Sequence, residues 1–243
     1  MSKKLFLTSI ILMLTVSVSA QSWWNSKKVR GNGNVVTETR SVSDYDGVSV
    51  GGSFDVVLVK GKEGKITLKG EENLLPYIET VVKGNTLKVQ YKKNVNVKTT
   101  RRLTVTITFK DIDHLSLGGS GNVSSKDVIK ASNLKVSLGG SGNIEAEVDA
   151  ENLKASVAGS GNIKLSGNTD ELKCSIAGSG DIKAYNLQTD TTRANIAGSG
   201  SIRVSVKTKI KASIAGSGSV YYKGNPKYVD SNSAGSGSVV KRN

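Results

Sequence analysis

The sequence predicts an all-β protein: a single-stranded β-helix, or β-solenoid, of about seven repeats of 18–21 residues, preceded by a smaller β-rich head. Three observations predict it. A glycine–serine–glycine turn recurs at near-constant spacing, apolar and polar residues alternate between the turns, and the composition combines 27 glycines with 5% aromatics and two prolines. Few prolines suit long hydrogen-bonded ladders, and few large rings suit a thin core.

The repeat begins at Gly118-Gly119-Ser120-Gly121-Asn122, and its second glycine recurs at positions 119, 140, 159, 178, 198, 216 and 235. The intervals are 21, 19, 19, 20, 18 and 19 residues. Between turns, Leu134, Val136 and Leu138 alternate with polar residues, which is the period of a strand with one buried face. Only stacked units can bury such faces. Each rung is therefore expected to contain a strand, the glycine turn, a second strand and a second turn.

Stacking predicts ladders of equivalent side chains, ~4.8 Å apart along the axis of the solenoid. The expected serine ladder comprises Ser120, Ser141, Ser160, Ser179, Ser199, Ser217 and Ser236. The expected ladder after the turn comprises Asn122, Asn143, Asn162, Asp181, Ser201, Ser219 and Ser238. In the final copy Ser231 and Ser233 stand at inward positions, which predicts a polar cap over the open end.

The N-terminus has the pattern of a secretory signal peptide over residues 1–20. Lys3 and Lys4 precede an apolar run, Leu5–Val18, that is too short to span a bilayer, and Val18-Ser19-Ala20 suits cleavage. Residues 21–28 are expected to form a flexible leader, residues 29–113 the head and residues 114–243 the solenoid with its polar cap. The mature chain is expected to have no transmembrane segment.

The head lacks the strict repeat but still predicts strands. The predicted strands are Phe54–Val59, Lys65–Lys69, Thr86–Tyr91 and Arg102–Phe109. The segment Glu72–Val82 contains Pro76 and predicts a short helix, while Asn32-Gly33 and Gly84-Asn85 predict turns. An earlier, degenerate copy of the repeat motif, Gly51-Gly52-Ser53-Phe54, also lies in the head.

The net charge is +14, or +12 without the two lysines of the signal segment, and it is compatible with anionic glycans, lipid headgroups or nucleic acid as partners. Alignment of the repeats places cations at two outward positions, and these are the candidate ligand-binding residues. The first position holds Lys135, Lys154, Lys173, Arg193 and Lys211, with His114 in the rung before, and the second holds Lys164, Lys183 and Arg203. An anionic polysaccharide or lipopolysaccharide fits such stripes, although solubility and edge protection also explain them. Nucleic acid is not expected, because stacking aromatics are not interleaved with the cations.

Catalytic chemistry finds little support in these residues. Cys174 and His114 are the single cysteine and histidine, and Cys174 lies at an inward position of a strand, which indicates a core residue. The glycine turns match neither calcium-binding repeats nor phosphate loops, so no catalytic residue, cofactor or metal is predicted. Carboxylates two residues apart on a strand lie ~7 Å apart, as glycosidases require, so a glycan-active enzyme remains an alternative. These pairs are Asp44 with Asp46, Asp111 with Asp113, and Glu145 with Glu147.

Three segments carry a resemblance to a known family. They are Val48–Val56 (VSVGGSFDV), Gly70–Leu75 (GEENLL), and the turn copies at 119–123, 159–163 and 178–182. Together they resemble the putative auto-transporter adhesin, head GIN domain family, over roughly residues 45–238. The resemblance implies a right-handed single-stranded β-helix and a secreted or envelope location in Gram-negative bacteria. It implies no established activity and supplies no catalytic or binding residues.

The function expected from the sequence is that of an exported binding or adhesion module of the cell envelope, without catalysis. It would bind anionic glycans through the cationic stripes, in the periplasm, at the outer membrane or outside the cell. A structural or assembly role in the envelope is the main alternative, and the glycan-active enzyme is the other.

Overall fold

A computed structural model describes residues 26–243, so the predicted signal peptide and most of the predicted leader lie outside the described residues. Nearly every described segment is strand or turn, with one short 3₁₀ helix at Leu75–Tyr77. The predicted β-solenoid is confirmed, since stacked parallel coils form about seven turns. The core is a single column of buried aliphatic side chains that continues from the head into the repeats.

The N-terminal part of the chain contains nine short strands. They are β1 (Lys27–Arg30), β2 (Val35–Ser41), β3 (Gly47–Gly52), β4 (Asp55–Lys60), β5 (Lys65–Glu71), β6 (Ile78–Lys83), β7 (Thr86–Tyr91), β8 (Val95–Lys98) and β9 (Thr104–Phe109). The strands predicted for the head are all present, with β9 starting two residues later than predicted. The helix predicted within Glu72–Val82 is limited to the 3₁₀ helix, and β6 occupies the rest of that segment.

The repeats contain ten strands, several of which are long. They are β10 (His114–Gly119), β11 (Asn122–Ser125), β12 (Ile129–Gly140), β13 (Asn143–Gly159), β14 (Asn162–Gly178), β15 (Asp181–Gly198), β16 (Ser201–Gly216), β17 (Ser219–Lys223), β18 (Tyr228–Ala234) and β19 (Ser238–Lys241). The second turn predicted for each rung is wrong for the middle of the stack. There β13 to β16 run from one glycine turn to the next and pass the second corner as a bend within a strand.

Parallel pairing in register holds the rungs together. Gly119 lies opposite Gly140, which lies opposite Gly159, and the same register continues to Gly216. The turn therefore repeats at one corner. A Cβ atom on Gly159 would meet the carbonyl oxygen of Gly140, and Gly159 has a φ of 128°, so both the space and the backbone conformation require glycine there.

The asparagine ladder forms after the turn. The Asn143 amide Nδ2 donates to Asn122 Oδ1 at 2.9 Å, and Asn162 Nδ2 donates to Asn143 Oδ1 at 3.0 Å. The turn serines contribute through their backbone instead, as in the 3.0 Å hydrogen bond from the Ser141 N–H to the Gly119 carbonyl. Within residues 26–243 their side chains form no hydrogen bonds with one another.

The stack of rungs extends into the head. Strand β3 pairs in parallel with β10, and β4 pairs in parallel with β11, which places Gly52 opposite Gly119. The degenerate motif at Gly51 is thus the corner of a further rung, in which the buried Phe54 takes the place of a turn glycine and packs against Tyr91 with ring centroids 4.6 Å apart. Strands β7 and β9 add one more parallel layer beneath β3 and β4.

The two ends of the stack differ. At the N-terminal end, antiparallel strands β2, β5 and β6 cover the edge of the sheet. At the C-terminal end, every residue of β18 is exposed, and Ser231 and Ser233 lie opposite Ala212 and Ile214 of the rung before, as the alignment of the repeats predicts. Polar side chains therefore stand at the inward positions of an uncovered last rung.

Candidate ligand-binding surface

The first candidate position forms one continuous column. Strand register places Lys135, Lys154, Lys173, Arg193 and Lys211 opposite one another in successive rungs, and all five side chains are exposed. We call this set the cationic column. Its members are expected ~4.8 Å apart along the axis, so their charges repel unless anions lie between them.

Ion pairing divides the cationic column into neutralised and free positions. Lys173 Nζ lies 3.2 Å from Glu171 Oε1, and Lys211 Nζ lies 2.9 Å from Asp230 Oδ2. Among the described residues, Lys135, Lys154 and Arg193 have no carboxylate partner. The free cations can therefore bind an external anion without breaking an ion pair, and the paired ones would lose little by exchanging partners, because surface ion pairs contribute little to stability.

A depression of about 540 Å³ lies beside the N-terminal half of the cationic column. It is lined by Lys135, Lys154 and Lys173 together with Asn133, Leu134, Asn152 and Leu153. The same depression also reaches Asp113, His114 and Glu171. We call it the cationic depression. Ammonium groups beside amides supply hydrogen-bond donors for hydroxyl and carboxylate oxygens.

On the other side of the cationic column, small residues line a groove of 730 Å³. Two outward columns form it, one of serine and asparagine and one of glycine and alanine. Their members are Ser137, Ser156, Ser175, Asn195, Ser213 and Asn232 in the first, and Gly139, Ala158, Ala177, Ala197, Ala215 and Ala234 in the second. We call it the small-residue groove. Alanine methyl groups on an outward strand position make its floor largely apolar.

The second candidate position is mostly neutralised. Lys164, Lys183 and Arg203 are stacked as the alignment predicts. Lys164 Nζ lies 2.7 Å from Glu145 Oε1 of the rung before, and Arg203 lies 3.1 Å from Asp181 Oδ2. Lys183 alone of the three has no carboxylate partner in the part of the chain that the structure describes. This column is thus a weaker candidate for binding an anion than the first.

His114 begins the cationic column but turns away from it. Its ring lies where a Cβ atom on Gly47 would be, its Nδ1 lies 2.5 Å from Asp113 Oδ1, and its Nε2 lies 3.0 Å from Thr86 Oγ1. The imidazole therefore joins two rungs across the junction between head and repeats. It contributes a hydrogen-bonding bridge between the head and the repeats.

Among the residues considered for catalysis, Cys174, Glu145 and Asp46 have structural surroundings. The Cys174 side chain is fully buried in the core, and burial raises the pKa of its thiol to about 12, which suppresses the reactive thiolate. Glu145 is bound by Lys164, and Asp46 accepts a 2.8 Å hydrogen bond from Asn85. Between residues 26 and 243, no three histidine, cysteine or acidic side chains converge in a way that would hold a metal ion.

Comparison with known proteins places this architecture in a family. Residues 44–226 match the family described as putative auto-transporter adhesin, head GIN domain. The chain belongs to this family. The match to the head GIN domain includes β3 and β4 as well as most of the repeats, in keeping with the continuous pairing between them. No curated protein matches the chain.

Solved structures share the fold of this head GIN domain. A putative adhesin from Bacteroides fragilis is 23% identical, with a TM-score of 0.82 over 88% of this chain and 100% of that one. A putative lipid binding protein from Parabacteroides distasonis is 30% identical, with a TM-score of 0.74 over 89% of this chain and 100% of that one. A putative adhesin from Parabacteroides merdae is 26% identical, with a TM-score of 0.71 over 90% of this chain and 100% of that one.

The described part of this head GIN domain contains no helix with the length and apolar character needed to cross a membrane.

Sequence reasoning missed the two cavities beside the cationic column. The small-residue groove has a signal that could have revealed it, because an outward alanine or glycine recurs four residues after each cation, as in Lys154 and Ala158. The cationic depression has a weaker signal, in Asn133 and Asn152 two residues before Lys135 and Lys154.

Proposed function

We propose that the protein is an exported binding module of the cell envelope that holds an anionic polysaccharide against the cationic column. The observation that carries the proposal is the pair Lys135 and Lys154, which line the cationic depression and have no carboxylate partner among residues 26–243. Carboxylate groups of a polymer lying along the axis would neutralise cations that otherwise repel one another. Family membership and the names of the related structures support a role in binding or adhesion.

We expect an electrostatic interaction in which each single contact is weak. The cationic column is exposed, so each ion pair with the polymer is worth at most about 1 kcal/mol and is screened by salt. Affinity must then come from many such pairs along one chain, as in other multivalent interactions. We expect binding to polygalacturonate, a polymer with one carboxylate per sugar, to weaken steeply between 50 and 300 mM salt.

The test uses Lys135→Glu/Lys154→Glu, with Lys92→Glu/Lys93→Glu as the matched control. Both variants change the net charge equally, but Lys92 and Lys93 are exposed in the head, outside the two cavities. We expect the first variant to lower the affinity for polygalacturonate at least about tenfold, and the control to lower it no more than about threefold. Equal losses in the two variants would show that net charge alone attracts the polymer, and the proposed surface would then be wrong.

Lipid is the second candidate ligand, because the small-residue groove is open and largely apolar and a related structure is named as a putative lipid binding protein. The same two variants distinguish it. Binding to vesicles of anionic phospholipid, with no binding to polygalacturonate and no effect of Lys135→Glu/Lys154→Glu, would favour lipid over polysaccharide.

A further inference from the structure

Aromatic side chains and cations meet in one cluster near the C-terminal end of the solenoid, on the face that follows the glycine turn. The cluster comprises Tyr185, Arg203, Tyr221, Lys223 and Arg242, from four consecutive rungs. We call it the tyrosine–arginine cluster. It lies on a different face from the cationic column, and it lines neither of the cavities beside that column.

Contacts between cations and rings organise this cluster. The Arg203 guanidinium carbon lies 5.6 Å from the centroid of the Tyr221 ring, and that of Arg242 lies 5.0 Å from the same centroid. The Lys223 ammonium lies 5.2 Å from the centroid of Tyr185. Such contacts hold a cation over a ring with a strength of about 0.5–1 kcal/mol at exposed sites. The two guanidinium groups are therefore positioned before any ligand arrives.

Backbone features at both ends of the cluster hold Tyr185 and Arg242 in place. Tyr185 belongs to an irregular segment of β15 in which the register with β14 and with β16 is interrupted, and the Ser205 hydroxyl donates to its carbonyl oxygen at 2.6 Å. The Arg242 N–H donates to the Tyr222 carbonyl oxygen at 2.8 Å, which fixes the chain beyond β19.

The cluster carries an excess of positive charge. Asp181 pairs with Arg203 at 3.1 Å, while Lys223 and Arg242 have no carboxylate partner in the described region. Burial raises the pKa of Tyr185, against the opposing influence of Arg203 and Arg242, so its phenol is a neutral hydrogen-bond donor at pH 7.

We infer that the tyrosine–arginine cluster binds a single acidic sugar, with the sugar carboxylate on the Arg242 guanidinium and the Lys223 ammonium and the sugar hydroxyls on the two phenols. A guanidinium group matches a carboxylate through two parallel hydrogen bonds, and tyrosine combines an apolar ring with a polar edge. Guanidinium groups already held over rings lose little further freedom on binding. A neutral sugar would leave the excess charge uncompensated, and a simple carboxylate would leave the phenols without partners.

This inference names a second site and holds whether or not the cationic column binds a polymer. The probe is therefore short: trigalacturonate, compared with its fully methyl-esterified form, which keeps the rings and removes the charges. Acetate serves as the carboxylate without a ring. We expect trigalacturonate to bind at least about tenfold more tightly than the ester or acetate, because each of those probes loses one class of contact.

The variant for the test is Lys223→Gln/Arg242→Gln, and its matched control is Lys227→Gln/Lys241→Gln, which removes the same charge from neighbouring positions outside the cluster. We expect the first variant to lose at least about tenfold in affinity for trigalacturonate. The control and the column variant Lys135→Glu/Lys154→Glu should each change it less than about threefold. Amide chemical shifts should move in residues 181–185, 203, 219–223 and 240–243.

Three outcomes would overturn the inference. They are equal binding of the ester, equal losses in the cluster variant and its control, and shift changes confined to the cationic depression. The last result would assign the short sugar to the cationic column, supporting the proposed function while removing the second site. Conversely, suppose that polygalacturonate binding survives Lys135→Glu/Lys154→Glu while trigalacturonate still binds at the cluster. That result would overturn the proposed function and leave only the second site.

Discussion

At the scale of single residues, the glycine turn explains why one sequence pattern recurs so strictly. Its second glycine needs a positive φ, and the rung beneath leaves no space for a Cβ atom, as at Gly159 over Gly140. The first position of the motif is different. Nothing lies within 4 Å of a Cβ atom placed on Gly139, and alanine stands at the paired position, Ala158.

This difference predicts opposite results for neighbouring substitutions. Gly159→Ala should destabilise the protein by about 1–3 kcal/mol, because it combines a strained backbone with a clash against a carbonyl group. Gly139→Ala should leave stability unchanged within about 1 kcal/mol. Urea denaturation followed by circular dichroism measures both. A Gly159→Ala protein as stable as the Gly139→Ala protein would contradict the role assigned to the turn.

At the scale of elements, Glu71 at the end of β5 joins three parts of the head. Its buried carboxylate accepts hydrogen bonds from the Gly33 N–H at 2.8 Å, the Thr100 N–H at 2.8 Å, the Thr100 hydroxyl at 2.6 Å and the Arg101 N–H at 3.1 Å. Burial acts to raise the pKa of Glu71, but these hydrogen bonds outweigh it and lower the pKa from 4.5 to about 2. The charged form thus fastens the loops after β1 and β8 to the sheet.

The pKa of Glu71 predicts a dependence of stability on pH. Since the pKa is lower in the folded protein than in the unfolded chain, this stabilisation is complete above about pH 4.5 and is lost as the pH falls toward 2. Glu71→Gln should cost about 1–3 kcal/mol at pH 7 and flatten the pH profile between 5 and 2. Unfolding curves at several pH values measure this, with the exposed Glu147→Gln as control. An unchanged profile in Glu71→Gln would refute the assignment.

At the scale of the whole molecule, each rung pairs mainly with the rungs directly before and after it. Asn143 pairs with Asn162, and Gly159 pairs with Gly178, so one rung can be superposed on the next by a shift along the axis. Stability in such a stack is close to a sum of rung and interface contributions. The stack ends at the uncovered β18 on one side and at the antiparallel strands of the head on the other, so the additive contributions apply only between these two ends.

Local pairing predicts that a complete rung can be removed. Deleting residues 143–161 joins Gly142 to Asn162 and keeps every column in register, so the shortened protein should fold and unfold cooperatively with an m-value lower by roughly a tenth. Deleting residues 143–152 instead shifts each inward side chain out of the core and should abolish folding. Circular dichroism and size-exclusion chromatography compare the two. Equal behaviour of the two deletions would show that register does not hold the stack together.

The sequence by itself determined the solenoid, the turn positions, the inward faces and the stacking of the cations. The reason is that each repeat contacts only its neighbours, so the repeat length fixes which residues lie opposite one another. It did not reveal that the head continues the same stack, since β3, β7 and β9 pair across segments of unequal length. Nor did it show which cations are free. That depends on how far flexible side chains reach toward carboxylates such as Glu145, Asp181 and Asp230. Within the tyrosine–arginine cluster, the repeat spacing places Arg203 opposite Tyr221, but Tyr185 lies in an irregular segment of β15 that no periodic pattern describes, so only the tertiary structure shows its contact with Lys223.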